Sequence, residues 1–298
     1  MDNKEFGAKV RRLRENLGIT REQFCEDEVE LTARQLMRIE AGQSKPTLSK
    51  ITFIAQRLGM TLYQLMPDYV ELPSRYTKLK YDVLRVPTYG KPELVEKREA
   101  LLEEIYDDFY DRLPEEEKIA IDAFRSALDV AETQTAHFGQ EIIDEYFFQI
   151  RQKDSYKIND LLIIRLYIER IKYWQEEEQF PDFLELLEVL VHQVDVVIAE
   201  DLFVLRDVLM AAIGILGKSG KYEFFPRLFK ALDDIMMMSQ DFQKKPILSM
   251  LKWKYELFHT KNREQATFYY EEAINFAQLI GNTYLAERLE AEWQENIA

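Results

Sequence analysis

Apolar positions in the first 66 residues recur with a helical period. Phe6, Val10, Leu13 and Leu17 fall on one face of a helix predicted over residues 4–16, and Gly18 ends it as C-terminal glycines do. Thr20 with Gln23, and Thr32 with Gln35, are each the pair that starts a helix by reciprocal capping. About a dozen residues separate the two starts, room for a short helix and a tight turn, as in a helix-turn-helix. In the second of these helices Leu36 and Ile39 face inward. Arg34, Gln35 and Arg38 share another face, with Arg38 one turn after Arg34. A fourth helix is predicted over residues 48–58, and Thr61 with Gln64 caps a short fifth.

Residues 67–75 hold two prolines and read as a linker, whose Tyr69, Val70 and Leu72 can dock on the C-terminal body. A helix of about ten residues precedes a second break, PTYGKP at residues 87–92. From Glu93 onward helix succeeds helix. Breaks at Pro114, His137, Asp154, Pro181, Glu200, Gly217, Gln240, Thr260 and Gly281 recur at about 20 residues, close to the tetratricopeptide length for a helix pair. Residues 262–293 form the clearest unit, with Ala266, Tyr270, Ala273 and Ala277 spaced as in that repeat. Such pairs stack into a right-handed arc whose concave face suits an extended peptide. The expectation is an all-α chain in three parts: a helix-turn-helix head over residues 1–66, a linker over 67–75 and an α-solenoid over 76–298. The last helix carries Leu285, Leu289 and Trp293 on one side. That stripe either packs back on the preceding helix or meets a second copy. Because helix-turn-helix proteins work on two-fold sites, a dimer contact is expected there.

Composition narrows the classes. With 10 Gly, 9 Pro and 47% hydrophobic residues, the chain suits a packed helical protein rather than a disordered one. The single cysteine, Cys25, excludes an internal disulfide and reads as a small buried apolar residue. There is no secretion-signal pattern and no apolar run long enough to span a bilayer, so a cytoplasmic protein without membrane contact is expected. His137, His192 and His259 stand far apart, and no phosphate-loop, dinucleotide or nucleophile-elbow motif is present. Neither an enzyme nor a metal or other cofactor is expected.

The net charge of −15 looks wrong for a DNA-binding protein until it is divided. Residues 1–66 hold 11 basic and 9 acidic residues, a charge of +2, which leaves −17 on the remainder. An anionic body is repelled by DNA, and it could hold the head's arginines while DNA is absent. On the head, Arg34 and Arg38 present planar forks suited to guanine edges, and Gln35 suits adenine. Thr32 caps their helix, and the first turn of such a helix enters the major groove. Arg21 and Gln23 at a helix start, with Ser44 and Lys45 after the recognition helix, are candidate backbone phosphate contacts. The plainer alternative is a solvated face on a small helical bundle. Glu115, Glu116 and Glu117 come directly after Pro114 and fill a first helical turn, where dipole stabilisation would account for them. The sharper expectation is an autoinhibitory latch, in which these carboxylates, Glu115 foremost, pair with Arg34.

Arg12-Leu13-Arg14-Glu15, T-R-E-Q at residues 20–23 and I-E-x-G-x-S-x-P at residues 39–46 resemble the five-helix DNA-binding domain of the Xre/Cro type. ELTARQLMRIEAGQSKP at residues 30–46, PTYGKPE at 87–93 and LLEEIYDDFYDRLPEEE at 101–117 are similar to the Rgg-type regulators of Gram-positive cocci, nearest to the competence regulators called ComR. The likeness is looser through the repeats. It implies a quorum-sensing regulator that binds promoter DNA and a short hydrophobic, imported pheromone peptide, dimerises when the peptide is bound, and activates competence or related genes. A peptide-bearing body needs an acceptor for the free C-terminal carboxylate. Arg98 is the first choice, because the corresponding position in the resembling regulators is basic, and Lys97 competes. Arg98 equally reads as a surface neighbour of Glu103, Glu104, Asp107 and Asp108. Further candidates are Arg165, Tyr167 and Arg170 on a mostly apolar helix, Asp207, and more weakly Lys252 and Tyr255. Met236, Met237 and Met238 suit either an adaptable surface or the core. The rival readings are a peptide-independent repressor and a repeat scaffold for a protein partner.

Overall fold

A computed structural model describes residues 3–66, 72–173 and 180–298, and among these every regular element is helical. Five short helices build the head: α1 (Asn3–Asn16), α2 (Arg21–Cys25), α3 (Ala33–Glu40), α4 (Leu48–Arg57) and α5 (Leu62–Leu65). The capping boxes at Thr20, Thr32 and Thr61 all form, because each satisfies two otherwise unpaired backbone groups from within one turn. Phe6, Val10, Phe24, Leu36, Ile39, Ile51 and Ile54 form the core with Cys25, whose thiol burial pushes up to about 12. Leu17 departs from its predicted place: α1 ends at Asn16, and Leu17 turns outward with 52% of its surface exposed. A Cβ on Gly7 would stand 2.1 Å from the carbonyl oxygen of Ile39, so only glycine lets α1 cross α3 this closely. Beside that crossing, Glu40 is buried between Arg14 (2.6 Å) and Arg21 (2.8 Å), which ties the two turn helices to α1.

The rest of the chain winds as α6 (Ser74–Arg85), α7 (Pro92–Asp108), α8 (Glu115–Thr133), α9 (Gln140–Ile142), a π-helical turn (Ile143–Phe147), α10 (Phe148–Arg151), α11 (Ile158–Ile171), α12 (Phe180–His192), α13 (Leu202–Lys218), α14 (Phe225–Ser239), α15 (Lys245–Tyr255), a second π turn (Glu256–Thr260), α16 (Arg263–Leu279) and α17 (Thr283–Ile297). Sequential packing of α13 on α14, α15 on α16 and α16 on α17, with α11 wedged between α8 and α13, gives the stacked solenoid that the spacing predicts. A long apolar core fills α8 to α14, and smaller clusters close each end. Leu72 packs on the first of these, beside Tyr76 and Leu79. The expected docking of Tyr69 and Val70 lies outside the described residues.

The terminal stripe corrects an expectation. Leu285, Leu289 and Trp293 are buried within this chain, against Ala266, Ala273 and Ala277. Trp293 stacks on Tyr270 at 4.6 Å and meets Trp253 edge-on at 5.8 Å. The small residues of α16 let α17 approach closely enough to absorb its own apolar face, so these three side chains are not available as a dimer contact.

Candidate nucleic-acid interface and the seam that covers it

The candidate recognition helix α3 is only partly open to solvent: Arg34 and Met37 are exposed, while Gln35 and Arg38 turn toward the body. Its outer face lies against the first turn of α8 and the segment around the first π turn. Arg38 Nη1 donates to Glu115 Oε1 at 2.7 Å and to Glu145 Oε1 at 2.8 Å, and Nη2 reaches Glu145 Oε2 at 3.2 Å. Tyr146 adds its hydroxyl to the same Glu115 oxygen at 2.9 Å. Burial by itself would raise the Glu115 carboxyl, but the bonds from Arg38 and Tyr146 outweigh it and hold the group below the usual carboxylate range. Arg38 is correspondingly raised.

Gln35 is fully buried and serves three partners. Its amide oxygen completes the Thr32 cap and accepts from Lys50 Nζ at 2.7 Å, while its amide nitrogen donates to Gln149 Oε1 at 2.9 Å. Gln149 in turn donates to the carbonyl of Glu28 at 2.6 Å. Lys50 also pairs with Glu116 at 3.2 Å. The backbone joins in: the Glu115 N–H donates to the carbonyl of Lys45 at 3.0 Å, so the head caps the start of α8. Ser44 and Lys45 line a small hollow there with Arg112 and Lys118.

Two features of the expected latch are corrected. Arg34 is not the partner of Glu115; its side chain is 63% exposed and lies 3.6 Å from Glu145. Arg38, one turn later, points at the body instead, because α3 docks with its C-terminal half over α8. Glu117 does not face the head at all. It is buried among Lys80 (2.6 Å), Tyr76 (2.7 Å) and Asn159 (2.8 Å), where it ties α6 to α8 and α11. Arg21 is engaged with Glu40, and Gln23 is held in its capping box at the exposed start of α2.

Glu145, Tyr146 and Gln149 were not legible as seam residues. They belong to a helix whose π turn inserts one residue between α9 and α10, which rotates the downstream face relative to an ideal α pattern. Only the Glu145–Gln149 spacing of four was a signal, and it is too common to read alone.

The body contains a second candidate site. Arg98, Arg165 and Asp207 converge with Lys244 on a cavity of about 180 Å³ walled by Leu162, Phe203, Val204 and Phe124. Arg98 Nε is buried without a hydrogen-bond partner, and burial lowers that guanidinium from its usual value. Arg165 Nη1 donates to the carbonyl of Asp207 at 2.9 Å, and its Nε to Glu169 at 2.7 Å. Lys97, the competing choice, is exposed and does not line this cavity. The other candidates lie elsewhere. Tyr167 is in the core, stacked on Phe147 at 4.0 Å. Arg170 is buried and donates to Gln140. Lys252 is paired with Asp233 at 2.5 Å, and Tyr255 stacks on Phe225. Met236 is buried, while Met237 and Met238 are exposed. Lys244 was missed because it sits in a loop with no periodicity to place it.

These parts define a class: a helix-turn-helix head docked on a tetratricopeptide-like body. Comparison with known families and structures makes it specific. The family model described as ComR tetratricopeptide matches residues 73–293. ComR from Streptococcus suis is 54% identical, with a TM-score of 0.86 over 100% of this chain and 97% of that one. The apo form of ComR from S. thermophilus is 29% identical, with a TM-score of 0.85 over 99% of both chains. The S. thermophilus ComR in complex with DNA and its signalling peptide ComS, also 29% identical, gives a TM-score of 0.67 over 98% of this chain and 100% of that one. No curated protein matches the chain. The chain belongs to the ComR family of competence regulators.

Proposed function

We propose that this protein is a cytoplasmic, peptide-responsive transcriptional regulator that has been captured in its DNA-silent state. Arg38, one of the two arginines suited to a guanine edge, is bonded to two carboxylates of the body, and this observation carries the reading. Arg34, Gln35 and Arg38 are the proposed base-reading residues. Arg21, Gln23, Ser44 and Lys45 are the phosphate contacts. Residues 1–66 act as the head, 67–75 as the linker and 76–298 as sensor and dimerisation body. Glu115 and Glu116 of the expected latch keep that role, joined by Glu145 and Gln149.

The likeness in overall arrangement supports a closed state. The structure matches the apo form from S. thermophilus much more closely than the DNA- and peptide-bound form of the same regulator, at equal identity. The ligand is a short apolar peptide with a free C-terminal carboxylate, received by Arg98, Arg165 and Lys244 in the concave cavity. Its binding favours a body that no longer accepts the head, and the freed protein dimerises on a two-fold promoter site.

Fluorescence anisotropy of labelled promoter duplexes tests this. A panel of synthetic apolar peptides with free C-termini is added at fixed salt. One peptide should raise promoter affinity by at least about tenfold, a shift of roughly 1.4 kcal/mol. Equal affinity with every peptide and without any would leave the peptide-independent repressor as the reading. Promoter binding that survives Arg38→Ala unchanged would overturn the assignment of α3.

A further inference from the structure

The cavity that holds Arg98 and Arg165 is lined in part by a strap. Residues 86–91 connect α6 to α7, yet they are pinned to the far end of the body. The Tyr89 hydroxyl donates to the carbonyl of Gln243 at 2.6 Å. Lys244 Nζ stands 4.6 Å from the centre of the Tyr89 ring. The Tyr284 hydroxyl reaches the carbonyl of Gly90 at 3.5 Å. Gln243 and Lys244 lie just ahead of α15, and Tyr284 is in the first turn of α17, so the strap bridges the front of the solenoid to its last repeats.

The strap lines two spaces. On one side Val86 and Thr88 line the cavity that holds Arg98 and Arg165. On the other, Pro87, Tyr89 and Lys91 line a hollow completed by Ile280 and Tyr284. The first space measures about 180 Å³, below the roughly 300–1,000 Å³ of ordinary ligand pockets. An extended peptide advances about 3.3 Å per residue and outgrows it within a few residues. A wall must therefore move. The inner faces of α11 and α13 belong to the large core, where displacement would open cavities. The strap lies outside that core and is held mainly at its tip, where Tyr89 packs on the terminal cluster and is strained: its φ of +45° is left-handed, an uncommon conformation for a bulky residue.

We propose that the strap is the gate of the sensor body and Tyr89 its pin. Lifting Tyr89 joins the two hollows into one channel. It also releases the Lys244 ammonium from the ring, adding a third cation to Arg98 and Arg165 for an incoming carboxylate. This rests on reading the cavity as the peptide site, but access through the strap can be measured without a peptide.

The probe is 1-anilinonaphthalene-8-sulfonate, an apolar anion whose fluorescence rises in apolar cavities. Full-length Tyr89→Ala should show a several-fold gain in dye fluorescence and faster amide hydrogen exchange over residues 86–91, with near-ultraviolet circular dichroism and melting temperature close to wild type. Adding Arg165→Glu should remove the gain. Should Tyr89→Ala not fold, Tyr89→Phe and Tyr284→Phe each delete one hydrogen bond and should give smaller gains of the same sign. A folded variant with unchanged dye access and unchanged exchange at the strap overturns the gate. A labelled peptide from the panel should then associate about tenfold faster with Tyr89→Ala, the effect of losing one hydrogen bond. Dye access that rises while every peptide fails to bind upholds the gate and removes the peptide reading alone.

Discussion

At the scale of single residues, Arg38 carries the proposed restraint on the head. Its guanidinium is only 24% exposed and bridges two carboxylates that are themselves largely shielded. Charge-assisted bonds of this kind contribute about 1.5–3 kcal/mol each. The double substitution Glu115→Gln with Glu145→Gln should therefore raise promoter affinity in the absence of peptide by about tenfold or more, read by anisotropy. No rise would show that the seam does not restrain α3. Acid should act in the same direction. The Glu115 carboxyl is depressed when the head is docked, so its stabilisation of the closed form is complete above the ordinary carboxylate range and is lost as pH falls through the depressed value. Hydrogen exchange of α3 across that acidic window should increase in wild type and change less in Glu115→Gln. The threonine caps were readable in the sequence because a cap needs only its own four residues. The partner of Glu115 was not: whether Arg34 or Arg38 meets it depends on how two separately packed bodies dock, and one helical turn of slippage exchanges them.

At the scale of elements, α11 links the two candidate sites. Leu162 and Arg165 line the cavity, while Tyr167 stacks on Phe147 in the π turn that delivers Glu145 and Tyr146 to the seam. Arg165 and Tyr167, two residues apart on α11, thus give the cavity a packed route to the proposed latch. The last helix illustrates what periodicity leaves open. It marks Leu285, Leu289 and Trp293 as an apolar face, but the choice between a neighbouring helix and a second molecule rests on the small residues of α16. Trp293→Ala should cost roughly 3–5 kcal/mol of stability through the cavity beside Tyr270 and Trp253, seen as a lower melting temperature. A variant that melts like wild type yet fails to dimerise would restore the contact reading.

For the whole molecule, the division of charge supports the proposal that closure and DNA binding oppose each other. The head's +2 sits on a body of −17, so the carboxylates that hold α3 also repel a phosphate backbone. Small-angle scattering should report a larger radius of gyration for Glu115→Gln with Glu145→Gln than for peptide-free wild type, and an equal radius would mean the head stays docked by other contacts. The all-helical class and the repeat length were legible because both are written in local spacing. The seam was legible only in part: Glu115 and Glu116 were expected against the head, but Glu145 and Gln149, which meet residues more than a hundred positions away, were not.

Gln35 adds a constraint on how such a regulator diverges. One amide group caps its own helix, binds Lys50 and grips Gln149, and the same group is the one suited to an adenine edge. A lineage that altered this position to recognise a different promoter would simultaneously change how much pheromone is needed to switch on. If Gln35 reads a base as proposed, target choice and signal sensitivity are coupled through its bond to Gln149.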